Sequence, residues 1–214
     1  MFRACAKVGD VQTAYDALQD MRLRGFKLNV HGYNGLIKTY AGAAAQWKVK
    51  EEHIDMYVDD AMKLFNQMVE GGIKPNVFVL NSLTLLHANA LRPDDLDSTV
   101  LPLYDKHRIK HDVYTYQHLG KMYLNLREFD TIKKLYKAMK TEKITPNKAL
   151  ANSFLEASMR TNDSDNILEG LQDFVDMKHE PHFRLKGTLA NMKSLPDRIY
   201  IMMREHFGAD HPAL

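Results

Sequence analysis

Residues 113–147 read VYTYQHLGKMYLNLREFDTIKKLYKAMKTEKITPN and contain one complete structural unit. Apolar Tyr116, Leu119, Met122 and Tyr123 recur at helical spacing. A polar break follows at Asn125–Glu128, and the same periodicity resumes at Phe129, Ile132, Leu135, Tyr136 and Met139. Proline cannot continue a helix and restricts the residue before it, so the second helix stops before Ile144-Thr145-Pro146-Asn147. The stretch is predicted to be a hairpin of two short helices.

Working outward, the same unit recurs along the chain. Met21, Met68, Tyr104, Met139 and Phe174 occupy one equivalent position, at spacings of 47, 36, 35 and 35 residues. Asn29, Asn76, Asp112, Asn147 and His182 form a second series with the same intervals and close each unit. The one long interval requires a local insertion of about a dozen residues, since the period elsewhere is near 35. It falls near 43–57 and holds the only tryptophan, Trp47. Gly71-Gly72-Ile73-Lys74-Pro75-Asn76 turns the chain as residues 144–147 do, its glycines supplying C-terminal cap geometry.

A hairpin this short cannot bury its apolar face alone, so neighbouring hairpins are expected to stack on one continuous core. The fold class expected is all-α, a right-handed α-α superhelix of helical hairpins. It comprises a partial unit at 1–29, units at 30–76, 77–112, 113–147 and 148–182, a degenerate closing hairpin at 183–208 and a tail at 209–214. Long glycine-, serine- or proline-rich linkers are absent, which favours a single array. The chain opens inside a working helix, so either the N-terminus is trimmed or the initiator methionine starts within a repeat.

Composition narrows the function. With 29 Lys and Arg against 27 Asp and Glu, the net charge is +2, far below that of strongly cationic nucleic-acid binders. Any RNA site must be a local patch or a groove of neutral polar side chains. The single Cys5 excludes an internal disulfide framework and a cysteine-based zinc site. No run approaches the roughly 18 consecutive apolar residues of a membrane span, and a soluble protein is expected. There is no phosphate-cradling glycine loop and no nucleophile elbow, so neither an enzyme, a cofactor nor a small-molecule substrate is expected. His107 and His111 stand at i,i+4 but lack a third metal ligand, and Asp94-Asp95 after Pro93 reads as the first turn of a helix.

Three phrases carry a family resemblance: Val30-His31-Gly32-Tyr33-Asn34-Gly35-Leu36-Ile37, Ala61-Met62-Lys63-Leu64-Phe65-Asn66-Gln67-Met68 and Gly72-Ile73-Lys74-Pro75-Asn76. They resemble the pentatricopeptide repeat, over nearly the whole chain. The tryptophan and glycine-tyrosine signature of the tetratricopeptide repeat is missing. The resemblance implies that each repeat presents one RNA base to a polar residue of its first helix and to the last residue of the unit. The pairs are Asn34 with Asn76, Asn81 with Asp112, Gln117 with Asn147, and Asn152 with His182. Of these, Asn81 with Asp112 matches a well-defined family pair, which implies uracil.

By the same resemblance His31, Phe78 and Tyr114 fall where a side chain wedges between bases, with Ala149 and Arg184 at the later equivalents. Lys7 and Arg160 fall at backbone-contact positions. Amides offer donors and acceptors to a base edge, and an unstacked base needs a flat partner. Asparagine near a helix start also has a plainer reading as a cap. Recurrence of Asn34, Asn81 and Asn152 at one place favours a base-facing groove. Trp47 is either an anchor for a protein partner or packs on its own repeat.

The function implied is binding of single-stranded RNA in an organelle, the mitochondrion by resemblance, for transcript stability, processing or translation. The alternative is a structural subunit of a mitochondrial ribosome or other ribonucleoprotein, with ribosomal RNA and ribosomal proteins as partners.

Overall fold

A computed structural model of the chain describes residues 1–46, 49–192 and 195–208, and among them every regular element is a helix. Two compact units divide the chain at His118 and Leu119. The first contains α1 (Phe2–Val8), α2 (Val11–Leu23), α3 (Val30–Ala44), α4 (Glu51–Glu70), α5 (Val77–Ala90), α6 (Pro93–Asp95) and α7 (Leu101–Lys106). The division falls within α8 (Val113–Asn125). The second contains α9 (Phe129–Thr141), α10 (Lys148–Arg160), α11 (Ser164–Asp176), α12 (Phe183–Asn191) and α13 (Asp197–Phe207).

One local device ends the second helix of every unit. A residue enters the left-handed region at Gly25, Gly72, Arg108, Lys143 and Lys178. The next N–H then reaches back five residues to a carbonyl: Phe26 to Met21, Ile73 to Met68, Ile109 to Tyr104, Ile144 to Met139 and His179 to Phe174, all at 2.8–3.1 Å. This backward bond is the Schellman closure. The acceptors are the members of the Met21 series. Their side chains sit in the core at Met68, Tyr104, Met139 and Phe174, each at most 1% exposed.

The first helices α1, α5, α8 and α10 close in the same way, through Gly9, Leu91, Arg127 and Asn162, with Asp10, Arg92, Glu128 and Asp163 donating to Cys5, His87, Tyr123 and Ser158. At Gly42 of α3 the need for glycine is steric, since a Cβ there would meet the carbonyl oxygen of Ala6 in α1 at 2.4 Å.

The 36-residue spacing has a local cause. Between α6 and α7 the helix passes through a π-helical turn at Leu96–Val100. A π turn absorbs one extra residue without breaking the helix. Leu96, Val100 and Tyr104 are all buried, so the extra residue keeps three core side chains inward. Ser98 and Thr99 hydroxyls donate to the carbonyls of Asp94 and Asp95, at 2.8 and 2.5 Å, within this segment.

The long interval is resolved partly as helix. α4 runs for 20 residues and α3 for 15, against 13 in α8 to α11. Arg92, at the end of the α5 hairpin turn, holds the extended start of α4 through Glu51 and Asp55, each at 2.5 Å. Trp47 lies outside the described residues.

In the second unit Tyr136 of α9 stacks on Phe154 of α10, ring centres 3.9 Å apart and 5° from parallel. Its hydroxyl donates to Asp173 of α11 at 2.8 Å, and Lys140 binds the same carboxylate at 2.9 Å. Burial and the Asp173 charge raise the Tyr136 phenol far above its ordinary value, so it remains a donor. Leu171, Phe174, Leu189, Ile199, Met203 and Phe207 complete the apolar cluster here.

Replacing Gly72 by alanine should cost about 1 kcal/mol in denaturant unfolding, through the left-handed backbone alone, because no atom lies within 4 Å of the added Cβ. Lys143→Gly should move stability the other way by a smaller amount, since glycine also loosens the unfolded chain. Equal stability of Gly72→Ala and wild type would show that the turn relaxes into another conformation.

Candidate nucleic-acid interface

Every unit's closing residue is the N-cap of the next first helix. Asn29 accepts from Gly32 N–H at 3.0 Å, Asn76 from Val79 at 3.1 Å, Asp112 from Thr115 at 3.0 Å, Asn147 from Leu150 at 3.0 Å and His182 from Arg184 at 3.4 Å. A side-chain oxygen, or the ring Nδ1 in His182, thereby satisfies one of the orphan amides of the helix start. The cap also fixes what lies beyond it. Two residues on stand His31, Phe78, Tyr114, Ala149 and Arg184, all exposed, and five residues on stand Asn34, Asn81, Gln117 and Asn152.

The five-on residues are one turn inside their helices and are not caps. Each of the three described asparagines instead makes a bond to the following hairpin or to its N-cap residue. Asn34 Oδ1 accepts from Ser82 Oγ of α5 at 2.8 Å. Asn81 Nδ2 donates to Asp112 Oδ1 at 2.9 Å. Asn152 Oδ1 accepts the backbone N–H of His182 at 2.8 Å, while its Nδ2 donates to Lys148 O at 2.8 Å. Of the four pairs, Asn81–Asp112 and Asn152–His182 are thus joined directly. Asn34 is bonded to Ser82 and not to Asn76, and Gln117 and Asn147 lie one in each compact unit.

Asn34 and Asn152 are half-buried, whereas Asn81 is 6% exposed. Its amide belongs to a buried polar cluster that sequence reading did not detect. Tyr104, a member of the Met21 series, supplies the cluster's phenol.

The side chains beside the pairs are conspicuously uncovered. Phe78 is 60% exposed and Tyr114 54%, in a structure that completely buries Phe154 and Phe174. Exposed rings at repeated positions flanking polar pairs are informative in a way that scattered exposed apolar residues are not. Phe183, 68% exposed, was missed; the guanidinium of Arg184 lies 5.8 Å from its ring centre and the His182 ring at 4.5 Å. The signal was present in sequence as an aromatic directly after the unit-closing residue.

Between α10 and α12 a groove of about 820 Å³ is lined by Asn152, Glu156, Arg160, His182, Arg184 and Thr188 among others. Lys7 is exposed on α1. His107 packs edge-on against Phe65 at 5.8 Å and His111 against Tyr104 at 4.4 Å. Among the described residues no three His, Cys, Asp or Glu side chains converge as metal ligands, and no helix is long and apolar enough to cross a membrane.

Recurring capped helical hairpins define a helical-hairpin repeat protein. The chain belongs to the pentatricopeptide-repeat family: the family model described as the pentacotripeptide-repeat region of PRORP matches residues 1–185. The pentatricopeptide repeat-containing protein At3g06430, chloroplastic, of Arabidopsis thaliana is 30% identical over 115 residues, which are 54% of this chain and 24% of that protein.

Among solved structures, the fold is similar to the PPR domain of Arabidopsis thaliana protein-only RNase P 1 in complex with tRNA. The TM-score is 0.66 at 17% identity, covering 88% of this chain and 92% of that one. PPR10 from maize has a TM-score of 0.54 at 20% identity, covering 95% of this chain and 32% of that one. PPR10 in complex with an 18-nucleotide psaJ RNA element has a TM-score of 0.51 at 16% identity, over 98% and 34%. At these identities the structures establish the shared fold.

Asp112→Ala should destabilise by about 2–3 kcal/mol, because it removes a cap and also leaves the buried Asn81 amide without its acceptor. Asn76→Ala, which removes a cap alone, should cost about 1 kcal/mol. Denaturant unfolding of both variants checks the difference; equal losses would mean that the Asn81–Asp112 bond contributes nothing.

Proposed function

We propose that this chain is a non-catalytic helical-repeat protein that binds single-stranded RNA along the starts of its first helices. The observation that carries the reading is the recurrence of one arrangement: a polar side chain five residues after a cap, tied to the next hairpin, with an exposed side chain at the second position. In α5 and α8 that exposed side chain is an aromatic ring, Phe78 and Tyr114. Bases can stack on such rings while their edges meet amide and carboxylate groups, and only unpaired bases can reach them. Asn34, Asn76, Asn81, Asp112, Gln117, Asn147, Asn152 and His182 are the proposed edge readers, with His31, Phe78 and Tyr114 between bases and Arg160 on the backbone.

Two family relatives were solved with RNA, one a tRNA and one an 18-nucleotide element, which supports the ligand class. An organelle is the proposed setting, supported by the chloroplastic relative, with the mitochondrion following from the sequence resemblance. Transcript stability, processing or translation would be served by such binding. The alternative, a structural subunit of a mitochondrial ribosome or other ribonucleoprotein, is favoured by the near-neutral charge and by the exposed Val8, Leu23 and Phe26.

Binding to single-stranded RNA of a few nucleotides should exceed binding to duplex, and salt should weaken it only moderately because few cations release counterions. Phe78→Ala and Tyr114→Ala should each lower affinity by about 1–3 kcal/mol while leaving the melting temperature nearly unchanged, since both rings are exposed. Filter binding over a salt series, with circular dichroism as the folding control, makes the measurement. Equal affinity for duplex, or selective capture of ribosomal proteins with no RNA preference, would favour the structural reading.

A further inference from the structure

The Asn81 side chain is held by more groups than a base reader needs. Its Oδ1 accepts from Tyr104 Oη at 2.9 Å and from Thr115 Oγ1 at 2.7 Å, and its Nδ2 donates to Asp112 Oδ1 at 2.9 Å. Tyr104 and Thr115 are at most 1% exposed, as is Thr84, whose hydroxyl lies 3.2 Å from Tyr104 Oη.

The proton directions follow from the chemistry. Asp112 N–H can only donate, and it donates to Thr115 Oγ1 at 3.2 Å. The hydroxyl proton of Thr115 has two acceptors in reach, Asn81 Oδ1 at 2.7 Å and Asp112 Oδ1 at 3.3 Å, and the shorter contact is the one to Asn81. Burial keeps the Tyr104 phenol protonated by raising its pKa, so it too is a donor. Rotating the amide by half a turn would set its oxygen against a carboxylate oxygen, acceptor against acceptor. The carboxylate thus favours one orientation, and the two hydroxyls are placed to donate to the oxygen in that orientation.

Neither hydroxyl belongs to the repeat pattern. Tyr104 stands where the other units have Met21, Met68, Met139 and Phe174; Thr115 stands where they have Gly32, Val79, Leu150 and Leu185. None of those eight side chains can donate an O–H bond. What remains unused in the pair is the second N–H of Asn81 Nδ2 and Asp112 Oδ2, which have no protein partner among the described residues.

We propose that Tyr104 and Thr115 are positioning residues that lock the Asn81 amide, so that this hairpin offers an N–H donor beside a carboxylate acceptor and selects uracil over cytosine. Uracil presents a keto oxygen and a ring N–H, which match donor and acceptor. Cytosine presents an amine and an unprotonated ring nitrogen at the same atoms, which oppose both. An unlocked amide turns its oxygen to the amine and loses the distinction. The inference rests on the RNA-binding reading above and adds residues that touch no base.

The test begins with RNA selected from a randomised pool by the full chain, followed by titration of versions in which each uridine is replaced by cytidine. In the wild type one replacement should be strongly penalised. Tyr104→Phe and Thr115→Val should each shrink that uracil-to-cytosine ratio by roughly 3- to 10-fold, the scale of one hydrogen bond. Ratios at other positions should be unchanged, and Thr115→Ser, which keeps the hydroxyl, should retain the wild-type ratio. A general loss of affinity with every ratio intact, or full discrimination in both variants, would overturn the lock while leaving RNA binding in place. A wild type that discriminates at no position would overturn base reading itself, and the lock with it.

Discussion

The hydrogen bond that reaches back five residues from each left-handed turn is the constraint on which the repeat depends. It stops the second helix at a fixed residue, places that residue's side chain in the core, and sends the chain toward the next cap. The bond recurs from Met21 to Phe174 even where the turn residue is arginine or lysine and left-handed backbone is unfavourable. Closure of the helix and burial of the Met21 series outweigh that local strain. The capped start of the next helix then lies a few residues away, so packing and the placement of polar side chains are set by one periodic device.

On the proposed reading, that coupling is how a nearly neutral chain would present a recognition surface. Each cap acceptor is bonded by a backbone amide, and Asn34, Asn81 and Asn152 are each tied to the next hairpin or its cap. The polar groups are pre-oriented before any ligand arrives, which reduces the ordering cost of binding. Asn81 is the extreme case: two core positions carry hydroxyls that the equivalent positions of the other repeats lack, and both bond the same amide oxygen. A half-satisfied cluster at this depth would be destabilising, so orientation and stability are linked at this hairpin.

The all-helical repeat fold and the family were legible in the sequence because two independent marker series share every interval, and both series correspond to physical events: a helix closure and a helix cap. The one-residue excess before Tyr104 was visible as a spacing of 36, but its absorption in a π turn was not, since Leu96, Val100 and Tyr104 also fit an ordinary apolar stripe. Left-handed turns were legible at Gly72 and hidden at Arg108, Lys143 and Lys178, where no glycine marks them. The Asn81 cluster was hidden for a different reason. Tyrosine in a series of methionines and phenylalanine reads as packing, and only coordinates bring its hydroxyl to an amide 23 positions away.

In the proposed binding mode RNA lies along the starts of the first helices. Photocrosslinking with RNA carrying 4-thiouridine, followed by mass spectrometric mapping of the joined residues, tests it most directly. Crosslinks should fall within 77–81 and 113–117, centred on Phe78 and Tyr114. Crosslinks confined to the second helices α4, α9 and α11, with the first-helix starts untouched, would contradict it.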